Sequence, residues 1–200
     1  MAPRTRTSTR ERVLDASLAL FNARGFVRST TAEVAEAAGI NEGNLYYWFP
    51  RKEQLAEALF ERFETAMIAV AEAPVADPGV LAGYRAYQRR WFDLMWAFRF
   101  LYREGPALRA LAPGLRVRLS ALNARGQAAL LKVFAQMQAN GLLRATPEEV
   151  EVLINNIWIV SVYWMDFRTM ESGADITEAD FAWGFRQVEM LYRPYLTADK

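Results

Sequence analysis

Apolar residues recur along most of this chain at intervals of three and four, the period of a helix with one buried face. Val13, Leu14, Ser17, Leu18, Leu20 and Phe21 form the first such stripe. It begins behind Ser8 and Glu11, whose spacing suits a capping box, and ends at Gly25. Thr30 and Glu33 repeat the capping-box spacing, and Val34, Ala35 and Ala38 supply a short stripe of small residues before Gly39. At Gly39 the backbone can turn left-handed without a Cβ clash, so the helix stops there. Asn41 can cap a second short helix that carries Leu45 inward and ends at Pro50. Leu55, Ala58, Leu59, Phe63, Ala66 and Met67 then predict a helix from about Lys52 to about Glu72, and the run APVADPG over 73–79 breaks the pattern. Beyond it, helices are expected over about 80–103 and 115–140, from Pro147 to about Met170 behind Thr146 and Glu149, and before Pro194 behind Thr177 and Asp180. Every long segment is helical in period. The expected fold is all-α, in two domains, with a head over residues 1–72 and a body over 80–200.

The stretch from Thr30 to Lys52 is the most informative. Two short helices joined by a tight turn, with Ala35 small enough to let them cross closely and Ile40 as an apolar pin, read as a helix-turn-helix. The second helix keeps one apolar anchor, Leu45, and surrounds it with Asn44, Tyr46, Tyr47 and Trp48. In this motif the second helix lies in the DNA major groove, where planar rings and polar tips meet bases and phosphates. Phe49 is read as core. Trp48 is divided between DNA contact and packing beneath the next helix.

Phe21, Gly25, Phe26, Thr30, Glu33, Val34, Ala35, Ala38, Gly39, Leu45, Tyr46, Phe49, Lys52, Glu53 and Leu55 stand where they do in regulators of the tetracycline repressor (TetR) family, which the chain resembles over about a quarter of its length. The resemblance implies phosphate or base contacts from Thr30, Thr31, Asn44, Tyr46, Tyr47, Trp48 and Lys52. It also implies a homodimer formed by the two C-terminal helices and a body that binds a small effector. Two positions depart from the family: Ala32 stands where some members carry a base-reading arginine, and Glu42 where lysine, arginine or glutamine is frequent. Glu42 either accepts from cytosine N4 or repels phosphate.

The body is rich in rings. Tyr84, Tyr87, Trp91, Met95, Phe98 and Tyr102 share one helical face, and Phe92, Trp96 and Phe100 widen the apolar surface beyond an ordinary stripe. Two readings fit, a large aromatic core and a cavity for a flat or greasy effector. On the second, Trp91, Met95, Phe98, Tyr102, Phe134 and Trp158 line the ligand and Asn155 offers a polar contact.

Composition narrows the classes. Histidine and cysteine are both absent, which removes the commonest general base, the commonest metal ligand, disulfides and thiolate sites. No cofactor, metal or enzymatic activity is expected. The most apolar run, 152–165, contains Asn155 and Asn156 and is too short to span a bilayer, and no secretory signal is seen, so a soluble, cytoplasmic protein is expected. Net charge is only +1, yet residues 1–52 hold eight Arg or Lys against five Asp or Glu, while 53–72 hold one against five. Positive charge gathers at the end that would meet DNA. Residues 1–7 read as an arm, from which Arg4 and Arg6, with Arg10 just beyond, either reach phosphates or the minor groove or only form a solvated tail, and Arg109, Arg116, Arg118 and Arg125 read as a solvated face. The expected function is a ligand-responsive repressor, released from a palindromic double-stranded DNA operator by a small apolar or aromatic effector. The alternative is a helical small-molecule carrier or scaffold that has lost DNA binding.

Overall fold

The computed structural model describes residues 8–105, 108, 110, 114–173 and 175–197, with the side chain of Arg116 excepted. The expected arm with Arg4 and Arg6, and Arg109, lie outside the described residues. The described chain is helical almost throughout: α1 (Thr9–Arg24), α2 (Thr31–Ala37), α3 (Glu42–Trp48), α4 (Lys52–Glu72), α5 (Leu81–Ala97), α6 (Arg99–Arg103), α7 (Gly114–Ala139), α8 (Pro147–Ser172) and α9 (Glu178–Tyr192). It divides into two compact units, Met1–Glu64 with Phe98–Val117, and Thr65–Ala97 with Arg118–Lys200.

Local chemistry sets the helix ends. Ser8 caps α1. Full capping boxes open α2 (Thr30 with Glu33), α8 (Thr146 with Glu149, and Pro147 in the first turn) and α9 (Thr177 with Asp180). Asn41 accepts from the Asn44 amide to start α3, and Gly39 turns at φ 67° between α2 and α3.

In the first unit, Leu14, Phe21, Phe26, Val34, Leu45, Leu55, Leu59, Phe60 and Phe100 are buried almost completely. Phe21 packs edge-on against Phe26, with ring centroids 5.2 Å apart, and against Phe100 at 5.5 Å. Arg62 ties α4 to α1 through Glu11 and through Asp15 at 2.7 Å. In the second unit, Phe92 of α5 stacks on Trp164 of α8 and meets Phe181 and Phe185 of α9 edge-on. Arg168 of α8 pairs with Asp180 of α9 at 2.8 Å, and Tyr192 donates to Gln88 at 2.7 Å.

The structure corrects one expected element. The helix anticipated over 80–103 is two helices, broken at Phe98, whose φ of −117° and ψ of 32° leave the helical region. Tertiary contacts compensate the break: Phe98 packs on Phe63 at 5.5 Å, and the Phe100 amide donates to the Asn22 side chain at 3.1 Å.

Candidate nucleic-acid interface

The turn before α2 sets the position of the motif, and charged groups grip it from two sides. Gly25 has φ 90° and ψ 152°, a conformation essentially restricted to glycine. The turn's amides face Glu104: those of Phe26 and Val27 both donate to its Oε2, the latter at 3.2 Å. A Cβ on Gly25 would collide with the same carboxylate. The turn's carbonyls face Lys52. Its Nζ donates to Phe26 O at 3.0 Å, Val27 O at 3.3 Å and Ser29 O at 2.9 Å, and lies 4.5 Å from the centre of the Phe26 ring. An ammonium has three protons, and all three are taken up here. Lys52, expected to contact DNA, holds the entrance to α2 in place through these three bonds. Asn22 and Arg103 add to the grip, Arg103 donating to Asn22 O at 3.2 Å.

Thr30 and Thr31 follow that turn. Thr30 is exposed, but its hydroxyl belongs to the capping box, accepting from the Glu33 amide at 3.2 Å and lying 3.0 Å from Glu33 Oε2. The backbone and hydroxyl of Thr30, helped by Arg24, hold the Glu33 carboxyl below its ordinary range. Thr31 reaches across to α3, where its hydroxyl donates to Glu42 Oε1 at 2.8 Å and lies 2.9 Å from the Tyr46 hydroxyl. Tyr46 itself donates to Glu42 Oε1 at 3.0 Å.

The seven-residue α3 is seated by Leu45, which is fully buried, and by Phe49 just beyond it, which is buried under the Arg10 guanidinium. Glu42 at its start is half-buried against Thr31, and the remaining positions face outward. Asn44 is exposed, as are Tyr46 (44%), Tyr47 (79%) and Trp48 (44%). Tyr47 and Trp48 brace one another edge to face at 5.3 Å. Large rings left in solvent on a short helix, with the apolar anchor correctly hidden, form a ready contact surface.

The expected effector residues do not gather in one unit. Phe98 and Tyr102 belong to the first, packed on Phe63 at 5.5 and 6.0 Å, and burial pushes the Tyr102 phenol well above its ordinary value. Trp91, Met95, Phe134, Asn155 and Trp158 belong to the second. There Met95 and Phe134 are buried, Trp91 and Trp158 are half-buried, and Trp91 meets the Tyr87 ring at 6.4 Å. Asn155 is exposed on α8 beside Val152 and Ile159, so it lies on the outside rather than in the interior.

Sequence reasoning missed Glu104 and Asn22, whose partners lie 77 to 81 residues away and carry no local signature. Arg51 lies exposed between α3 and α4, next to Lys52.

Comparison with known proteins agrees with this geometry. A family profile described as "Bacterial regulatory proteins, tetR family" matches residues 13–59, and another, described as "Bacterial transcriptional repressor", matches residues 62–200. A TetR-family transcriptional regulator from Marinobacter aquaeolei VT8 superposes with a TM-score of 0.85 at 30% identity, over 96% of this chain and 93% of that one. Among curated proteins, the nucleoid occlusion factor SlmA of Haemophilus ducreyi is 39% identical over 64 residues, 32% of each protein. The HTH-type transcriptional regulator TtgR of Pseudomonas putida is 38% identical over 53 residues, 26% of this chain and 25% of that protein. The chain thus spans about a third or less of the length of these two relatives. A head with the helix-turn-helix geometry, and profiles that together cover nearly the whole chain, place this protein in the TetR family of bacterial transcriptional regulators.

Proposed function

We propose that this regulator is a homodimeric repressor that docks two heads on a palindromic operator and is released by a small apolar or aromatic effector. Residues 1–72 serve as the DNA-binding part and 80–200 as the effector-binding and dimerising part. The observation that carries the reading is the outward face of α3, where Asn44, Tyr46, Tyr47 and Trp48 stand in solvent around a buried Leu45. In a dimer the two α3 helices enter successive major grooves, roughly 34–36 Å apart. Thr30, Thr31, Asn44, Tyr46, Tyr47 and Trp48 make the contacts, with Lys52 supporting them from behind. The site of action is then the cytoplasm, where the operator lies.

Dimerisation is supported by α8 and α9. Val152, Ile159, Tyr163, Phe167 and Met170 lie exposed along α8, and Met190 on α9. A stripe of this kind on a soluble regulator calls for a covering surface, and a two-fold axis lets the stripe cover its own copy. Effector binding is supported by the half-buried Trp91 and Trp158 with buried Met95 and Phe134 in the second unit. The buried indole N–H of Trp164 has no acceptor among the described residues, and an oxygen of a ligand would satisfy it. An effector that prefers a different head separation weakens DNA binding by its differential affinity for the two states.

The test is binding to fragments of the source genome across a salt titration. Phosphate contacts give an affinity that falls steeply and log-linearly with salt. Affinity that is absent or indifferent to salt would leave a carrier or scaffold as the better account.

A further inference from the structure

We infer that Glu42, locked by Thr31 and Tyr46, is a base-reading acceptor that selects cytosine in each half of the operator. The inference rests on the DNA-binding reading above and adds to it one specificity-determining residue.

A carboxylate only accepts hydrogen bonds, and each hydroxyl has one proton to give. Thr31 and Tyr46 both point at Glu42 Oε1, at 2.8 and 3.0 Å, and lie 2.9 Å from one another. Either both protons rest on Oε1, or one does and the other lies between the two hydroxyls. In both arrangements no proton is left to point outward. The trio therefore presents only lone pairs to its surroundings, together with Glu42 Oε2, which has no hydrogen-bond partner among the described residues. Glu42 is half-buried and fixed from α2 as well as from its own helix, so it does not swing away freely.

Such a surface is wrong for a phosphate, which is itself an acceptor and carries negative charge. It is right for an amino group. In the major groove only cytosine N4 and adenine N6 supply one. Adenine sets its N7 acceptor beside the amino group, where a carboxylate oxygen is repelled and an amide, with donor and acceptor together, is favoured. Cytosine N4 has no such neighbour on its own base. Glu42 stands at the first position of α3, one turn before Tyr46 and on the side held by Thr31 of α2, next to a ring assigned to the groove.

The experiment is selection from a random-sequence duplex library with the full-length protein and its Glu42→Gln and Glu42→Ala variants. The wild type should enrich cytosine at one pair of symmetry-related positions, by about tenfold or more over the other bases. Glu42→Gln keeps an acceptor for the two hydroxyls and should move the preference at that pair to adenine. Glu42→Ala should flatten that pair. Circular dichroism checks that each variant folds; if the alanine variant does not, the glutamine variant decides alone. Identical base preferences in all three proteins, differing only in affinity, would overturn the role of Glu42 while leaving DNA binding intact. A wild type that enriches no sequence would overturn the DNA-binding reading and this inference with it.

Discussion

Replacing Gly25 with alanine makes two demands on the turn before α2, and the structure lets them be separated. The first is conformational. At φ 90° and ψ 152° an alanine is forced into a region that costs about 1–3 kcal/mol. The second is steric, because the new methyl group occupies the place of the Glu104 carboxylate and drives it off the Phe26 and Val27 amides. A hydrogen bond to a charged group contributes about 1.5–3 kcal/mol when its loss leaves a buried partner unsatisfied. Phe26 is buried and Val27 is exposed, so water replaces the second bond and the loss amounts to about 2–3 kcal/mol rather than twice that. Gly25→Ala should therefore cost about 3–6 kcal/mol in the wild-type protein, a large share of a typical domain's stability of about 5–15 kcal/mol. In a Glu104→Ala background the carboxylate is already gone, and the same change should cost only the conformational part. Urea unfolding of the four proteins of this cycle measures the coupling, expected at about 2 kcal/mol. Hydrogen exchange at the Phe26 and Val27 amides reports the same event locally. If Gly25→Ala costs the same in both backgrounds, the carboxylate is not displaced and does not hold the turn.

Other perturbations separate structural from contacting roles. Lys52→Met keeps much of the chain's bulk but leaves three carbonyls without their donor, so it should lower head stability by about 2 kcal/mol or more, measured by urea unfolding without DNA; a variant as stable as the wild type but weaker on DNA would restore the lysine to the contact surface. Glu33 has its carboxyl held below the ordinary value of 4.5, so its contribution to stability is complete above that pH and is lost as pH falls through the lower folded value. Unfolding followed against pH should show a shallower acid decline in Glu33→Gln than in the wild type, and equal slopes would contradict the assignment. Ile159→Glu, in the exposed stripe of α8, should convert a sedimenting dimer to monomer with little change in helical content.

What the sequence could disclose follows from how far each interaction reaches. The capping boxes at Thr30, Thr146 and Thr177 join residues three apart, so spacing alone announces them, and the helix starts fall where they direct. The outward rings of α3 are equally local: Leu45 must face in, and helical geometry then decides that Asn44, Tyr46 and Tyr47 do not. Lys52 reaches further along the chain. A lysine at the edge of a DNA-binding motif suits phosphate, and spacing gives no sign that its Nζ also meets carbonyls 23 to 26 residues earlier, brought to it by the packing of α4 beneath the turn. Glu104 is harder still, because its amide partners are 77 and 78 residues away and nothing in its neighbourhood marks it. The break at Phe98 has no glycine or proline to announce it, since it is compensated by the Phe63 contact and by the Asn22 side chain, which takes an amide the helix gives up. Lys52 and Glu104 nevertheless form a single device, one binding the carbonyls and the other the amides of the same turn, and that turn sets the position of Thr30 and Thr31. The part of the site that only tertiary structure reveals is thus the part that holds the locally legible part in register, which is why substitutions remote from α3 in sequence should alter DNA binding as surely as changes to its rings.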